Sequence, residues 1–216
     1  MANINLWLGV AVTVEAIASR GTAKTITAIT KANPGVVTST SHGYTNGNYL
    51  ILPSIAGMKE LNGRLVRVAN VTANTWEIEG VDTTSFGTFS SGTSLLATMT
   101  KAASTFVDVN ASGGEAADVP TETIHDTIAK PIPGLKSALK YDMSSIWDPA
   151  DACLIECKLA DDTLSYRGLL FGFSTGAKAG CVAYTSAPLA PTGSTGEKVV
   201  TPVGFKLLGP MTTWST

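Results

Sequence analysis

Alternation of apolar and polar positions with a period of two dominates this chain, and only one segment carries a helix signal. Ile4 to Val14 reads as one apolar strand, broken by Ser19-Arg20-Gly21-Thr22. Between Lys24 and Asp82, short β-rich runs follow closely: Thr25–Thr30, Val36–Ser39, Tyr49–Leu52, Arg64–Val71 and Thr75–Gly80. In the last of these, Trp76 and Ile78 share one face and Glu77 and Glu79 the other, which predicts a half-buried strand. Asn33-Pro34-Gly35 and Asn46-Gly47 are turn chemistry, with Gly35 free to take positive φ and Asn46-Gly47 suited to a tight hairpin turn.

Asp82 to Ser94 is rich in Ser, Thr and Gly and reads as a linker. Strand texture resumes from Thr98 to Asn110, a polar loop follows to Asp118, and Leu135–Met143 alternates cleanly. Asp148-Pro149 looks like an N-cap followed by proline at the first helical position, predicting a helix over Ala150–Leu159 that Asp161-Asp162 ends. Strands are expected at Leu164–Ser174, Gly180–Ala187 and Lys198–Gly209. The fold class is therefore mainly β with one flanking helix.

Fifteen Lys and Arg stand against seventeen Asp and Glu, so no basic field exists to neutralise a phosphate backbone, and sequence-specific nucleic-acid binding is disfavoured. Charged residues make up only 15%, low for a monomer that keeps its whole surface wet, so much of the surface is expected to be covered by other copies. Three cysteines cannot all pair within one chain, which suits a reducing compartment. Leu6–Val12 followed by Ala16-Ile17-Ala18 imitates a signal peptide, but no Lys or Arg precedes the apolar run. Nothing approaches the ~18 apolar residues of a membrane span, and a soluble protein without membrane contact is expected.

Each candidate for chemistry meets a plainer alternative. Gly172-Phe173-Ser174-Thr175-Gly176 matches G-x-S-x-G, yet a turn and strand are expected after Ser174, and both histidines, His42 and His125, precede it. Cys153 and Cys157 lie four apart on a predicted helix, a spacing that suits small thiols facing a core better than a zinc knuckle shared with Cys181. Asp161, Asp162, Glu115, Asp118, Glu122 and Asp126 read as solvated carboxylates. Gly193-Ser194-Thr195-Gly196-Glu197-Lys198 lacks the Gly-Lys-Ser/Thr of a phosphate loop. Ser41-His42-Gly43-Tyr44 reads as a bend in which His42 bonds locally and Gly43 takes an angle other residues avoid. No catalytic, cofactor-binding or metal-binding residue is assigned, and no enzyme is expected.

Two resemblances extend this reading. Asn33-Pro34-Gly35-Val36-Val37-Thr38, His42-Gly43, Asn46-Gly47, Leu61-Asn62-Gly63-Arg64 and Trp76-Glu77-Ile78 resemble a small β module found as the first catalytic cysteine half-domain of ubiquitin-activating enzymes and as an insertion in phage structural proteins. Having no cysteine, the segment implies the fold alone. The flanks, through "ETIHDTIAKPIPGLKSALKYDM", "LSYRGLLFGF" and "PVGFKLLGPM", resemble the tail tube protein of long-tailed bacteriophages. That resemblance implies a β-sandwich body at residues 1–22 and 88–216, with an inserted all-β, barrel-like module at 23–87. It further implies homohexameric rings stacked into a virion tail tube that encloses the tape measure protein, meets tail terminator and baseplate or tail-tip proteins, and conducts DNA without specific binding. Synthesis would occur in the host bacterial cytoplasm. The alternative is a carbohydrate-binding or adhesive surface protein using exposed aromatics such as Tyr44 and Tyr49.

Overall fold

A computed structural model describes residues 4–128 and 130–215. The chain enters through β1 (Ala11–Glu15) and then builds seven strands in succession. These are β2 (Lys24–Ile26), β3 (Ala28–Ile29), β4 (Val36–Thr38), β5 (Tyr49–Ala56), β6 (Arg64–Ala69), β7 (Thr75–Ile78) and β8 (Ser91–Ala97). After β9 (Met99–Ala103) and β10 (Phe106–Ser112), a hairpin extends as β11 (Ala116–Val119) and β12 (Ile132–Lys136) and returns through β13 (Lys140–Ile146). Helix α1 (Ala152–Asp162) precedes β14 (Tyr166–Gly172), β15 (Lys178–Ser186), β16 (Val200–Leu207) and β17 (Thr212–Trp214).

Strands β2 to β8 form one antiparallel sheet in the order β2-β8-β5-β6-β7-β4-β3. The predicted single run Thr25–Thr30 is split at Thr27, whose N–H and hydroxyl both reach the Thr38 carbonyl, so the chain leaves β8 and joins β4 at a corner. That corner brings the two ends of the sheet together around Leu50, Leu52, Met58, Val66, Trp76 and Ile78, all fully buried. The expected linker to Ser94 ends earlier than predicted: Ser91–Ala97 is strand β8, which pairs with both β2 and β5 and carries the sheet's closure. Its Leu95 and Leu96 follow a Ser/Gly-rich stretch, and that composition hid the strand. Gly35 does not take positive φ either; a Cβ there would meet Thr83 side-chain atoms at 2.7 Å, and the Thr83 hydroxyl donates to the Thr30 and Ala32 carbonyls in that space. Asn46-Gly47, with Gly47 at φ +87°, makes a turn leading into β5 rather than a two-residue hairpin.

The other main sheet has the order β10-β13-β16-β15-β14-β1-β9, with β17 on β15. Because β9 and β10 are consecutive in the chain yet stand at opposite ends of this order, the sheet curls into a nearly closed barrel. Leu169 and Phe171 of β14, Cys181 and Ala183 of β15, and Val203 and Phe205 of β16 point to one face, and α1 covers that face with Cys153, Leu154 and Cys157. The helix starts later than predicted. Asp148 accepts the Ala150 N–H in a turn, whereas Asp151 caps the helix by accepting the Cys153 and Leu154 N–H groups at 2.8 and 3.0 Å. Its other oxygen takes the Ser104 hydroxyl at 3.0 Å, so a tertiary partner selects the cap. Asp161 and Asp162 lie within the helix; Asp162 pairs with Lys158 one turn earlier.

The chain leaves β1 for the seven-stranded sheet across a short 3-10 turn, Ile17–Ser19, held by buried charge. Arg20 forks onto Glu15 at 2.7 and 2.6 Å and lies over the Tyr166 ring, while Arg167 pairs with Glu156 at 2.9 Å. The Ile17 and Gly168 N–H groups complete the two carboxylates. Neither ion pair leaves an uncompensated charge inside, the condition under which buried pairs are tolerated.

Candidate assembly surfaces

Strands β10 and β13 do not end where the barrel does. At Gly113 and Gly114, with φ near +84° and +85°, the chain bends, and β11 and β12 continue as a separate two-stranded arm. The alternation predicted through Leu135–Met143 breaks at this bend, at Ser137-Ala138-Leu139, where the Ser137 N–H bonds the Glu115 carbonyl and its hydroxyl accepts from the Gly114 N–H. The predicted loop Asn110–Asp118 is thus part strand and part bend.

The arm is held at its tip by polar contacts. Asp126 accepts the Thr123 N–H and hydroxyl at 2.9 Å and pairs with Lys130 at 2.6 Å, and Lys130 with Thr123 holds its carboxyl below the ordinary range. The Thr121 hydroxyl closes the loop on the Lys130 carbonyl. Meanwhile the arm's large apolar side chains face outward: Ile124 is 96% exposed and Leu135 90%, with Val119, Ile128 and Ile132 also exposed. A lone two-stranded hairpin is marginal in water, and this one spends its apolar side chains on solvent instead of on a core.

The same holds at two other places on the eight-stranded sheet. Before β1, Ile4, Leu6, Trp7 and Leu8 are exposed, and Trp7 leans on the barrel, edge-on to Phe171 at 6.0 Å. A groove of about 340 Å³ opens between Trp7, Val10 and the free edge of β10 at Phe106–Val109. On α1, Ile155 and Leu159 lie one turn apart and both are exposed. Among the described residues, no large apolar side chain between residues 23 and 97 is exposed.

The residues singled out by sequence fall elsewhere. His42 is buried in its bend; its Nδ1 accepts the Tyr44 N–H at 3.0 Å, its ring lies 5.0 Å from that of Tyr44, and Gly43 has φ +72°, as expected of the bend. Ser174 sits in the turn between β14 and β15, closed by the Phe173 N–H on the Ala177 carbonyl, with a strand after it. Cys153, Cys157 and Cys181 are buried free thiols. Burial pushes the Cys181 thiol up to about 12, and Cys157 is raised by its hydrogen bond with Cys153 and by burial. Asp161 accepts the Ala187 N–H at 2.9 Å, and Glu115, Asp118 and Glu122 are exposed in the arm with His125. Residues 193–198 form an exposed turn. Tyr44 and Tyr49, expected to be exposed, are not: Tyr44 is buried with its hydroxyl on Ser94, and Tyr49 packs edge-on against Trp214 at 5.6 Å.

Ile124, Ile128, Ile132 and Leu135 entered the sequence reading only within the run "ETIHDTIAKPIPGLKSALKYDM", with Leu135 opening an alternating strand, and not as an exposed apolar arm. Their signal is an aperiodic scatter of large aliphatic residues among Pro120, Pro131, Pro133 and Gly134, too polar overall for a core element and too apolar for a linker. Among the described residues no helix is long and apolar enough to cross a membrane. No curated protein matches the chain. A family model described as "Phage tail tube protein, TTP" matches residues 56–216, from the last residue of β5 to the end, about three quarters of the sequence. The chain belongs to this family of phage tail tube proteins, structural components of the virion tail and not enzymes.

Proposed function

We propose that this chain forms homohexameric rings that stack into the tail tube, enclosing the tape measure protein and later conducting DNA. Its ends would meet tail terminator and baseplate or tail-tip proteins, after synthesis in the host bacterial cytoplasm. The observation that carries this is the arm: an otherwise unsupported hairpin exposing Ile124, Ile128, Ile132 and Leu135 is stable only where another surface covers it, and an identical ring is the surface always present. The free edge of β10 supports sheet-to-sheet joining within a ring, since its unpaired N–H and C=O groups carry no proline or lysine to block pairing. For the channel wall, the face of β13, β16 and β15 turned away from α1 is the best candidate. It carries Lys140, Asp142, Ser144 and Lys206 beside Ile146 and Tyr184, a mixed face of both charge signs and without a long basic stripe that would hold a phosphate backbone.

Residues 23–87, whose sheet is completed by β8 just beyond that boundary, are proposed as the inserted module, similar in fold to the half-domain of ubiquitin-activating enzymes and placed on the outer wall. Support comes from its separate core and from a surface without large apolar side chains. The adhesive reading loses the two aromatics on which it stood, since Tyr44 and Tyr49 face inward.

Size-exclusion chromatography and negative-stain microscopy of the purified protein at high concentration test the proposal. Rings or hollow rods are expected; a strictly monomeric protein that is also missing from purified tails would overturn it.

A further inference from the structure

The seven-stranded sheet is joined to the barrel by two chain crossings, near Ile17–Lys24 and near Ala97–Met99, and such a connection permits swinging unless a packed interface forbids it. The interface here is unusually close. A Cβ at Gly209 would stand 2.5 Å from the Asn62 carbonyl oxygen, and one at Gly63 would stand 3.0 Å from the Leu208 carbonyl carbon, so two turns from different sheets touch backbone to backbone. Leu65 of β6 reaches into a slot over β14 and β15, where a Cβ at Gly180 would meet it at 2.8 Å and one at Gly168 at 3.4 Å. Ile51, Leu65, Ala97 and Val182, all buried, form a third core between the sheets.

Trp214 closes this junction. Strand β17 attaches to β15 through Lys178–Gly180, yet its tryptophan is 3% exposed because it inserts against the other sheet. Its indole N–H donates to the Glu79 carbonyl at 3.2 Å, its ring meets Tyr49 edge-on, and Arg67, held by Glu79, lies over it at 5.8 Å. A single indole from the chain's last strand is thereby fixed by three residues of the seven-stranded sheet.

We infer that the C-terminal strand is a lock: Trp214 fixes the seven-stranded sheet at one angle to the barrel, so that it is carried as a rigid buttress and not as a tethered appendage. Trp214 acts as a positioning residue, and Gly180 and Gly209 are the sites where a side chain would wedge the joint open. This inference rests on the junction alone and stands whether or not the rings are hexameric.

Spin labels placed through Ala73→Cys and Ser194→Cys, both exposed positions, read the angle by double electron–electron resonance. Labelled chains diluted with unlabelled ones confine the signal to distances within one chain, and the three native thiols are buried from the label. One narrow distance peak is expected for the parent chain. That peak should be lost in Trp214→Ala and in Gly180→Val, while circular dichroism shows both sheets still folded. A broad distribution in the parent chain, or a peak unchanged in both folded variants, would overturn the lock.

Discussion

Each of the two large sheets closes around its own core, centred on Trp76 in one and on Phe171 and Phe205 in the other, but they meet solvent differently. Among the described residues, the sheet of β2 to β8 exposes no large apolar side chain, whereas the barrel and its arm expose Ile4, Trp7, Ile124, Leu135, Ile155 and others. Both halves come from one chain of low charge, so composition does not explain the contrast. A surface that stays wet in the working state is cleared of large aliphatic residues; a surface destined for burial retains them. On the proposed function, the difference separates the part of the molecule that assembles from the part that does not.

The largest effect should come from the arm. Replacing Ile124, Ile128, Ile132 and Leu135 together with Ser is expected to abolish rods in negative stain. The melting temperature of the unassembled chain should hardly move, because the four side chains contact no core. Core truncations should do the reverse. Trp76→Ala and Phe171→Ala are each expected to cost about 3–5 kcal/mol by denaturant titration. If the sheets fold as separate units, the first variant leaves the barrel's transition in place, and the second leaves that of its neighbour.

Asp151→Ala is a smaller test confined to the barrel. It removes the α1 cap and the Ser104 hydroxyl's carboxylate partner, for an expected cost of about 1–2 kcal/mol. Burial works against the Asp151 carboxylate, but hydrogen bonds from Leu154, Ser104 and Cys153 outweigh it and leave its pKa below the ordinary value. A depressed folded-state pKa means this stability is full above the unfolded value of about 3.9 and is lost as pH falls through the lower folded value. The stability difference between the parent chain and Asp151→Ala should therefore be constant above about pH 4 and narrow as the pH falls below it. Smallest of all, Lys31→Ser and Lys59→Ser on the exposed surface of the seven-stranded sheet should change stability by no more than about 0.5 kcal/mol and leave assembly intact.

What the sequence made legible was local. Short strands bounded by Gly, Pro and Asn were found because turn chemistry and two-residue alternation are written in neighbouring residues, as in Thr75–Ile78. The bend at His42 and the inward thiols of α1 were legible for the same reason. What escaped depends on distant partners. Ile4–Leu8 is as apolar as a strand but finds no pairing partner among the described residues, so only Ala11–Glu15 forms β1. The α1 cap moved from Asp148 to Asp151 because Ser104 lies across from the latter. Strand β17 is three residues long, too short for any period, and exists because Trp214 has a slot between the sheets. The arm was hidden most completely, since no core of the chain accounts for its exposed aliphatic side chains.

A cryo-EM reconstruction of the intact tail tests the central claim most directly, because it shows at once which surfaces are covered. The account predicts Ile124, Ile128, Ile132 and Leu135 buried against a neighbouring copy, with the sheet of β2 to β8 on the outer wall. An arm left in solvent, or the seven-stranded sheet lining the channel, would contradict it.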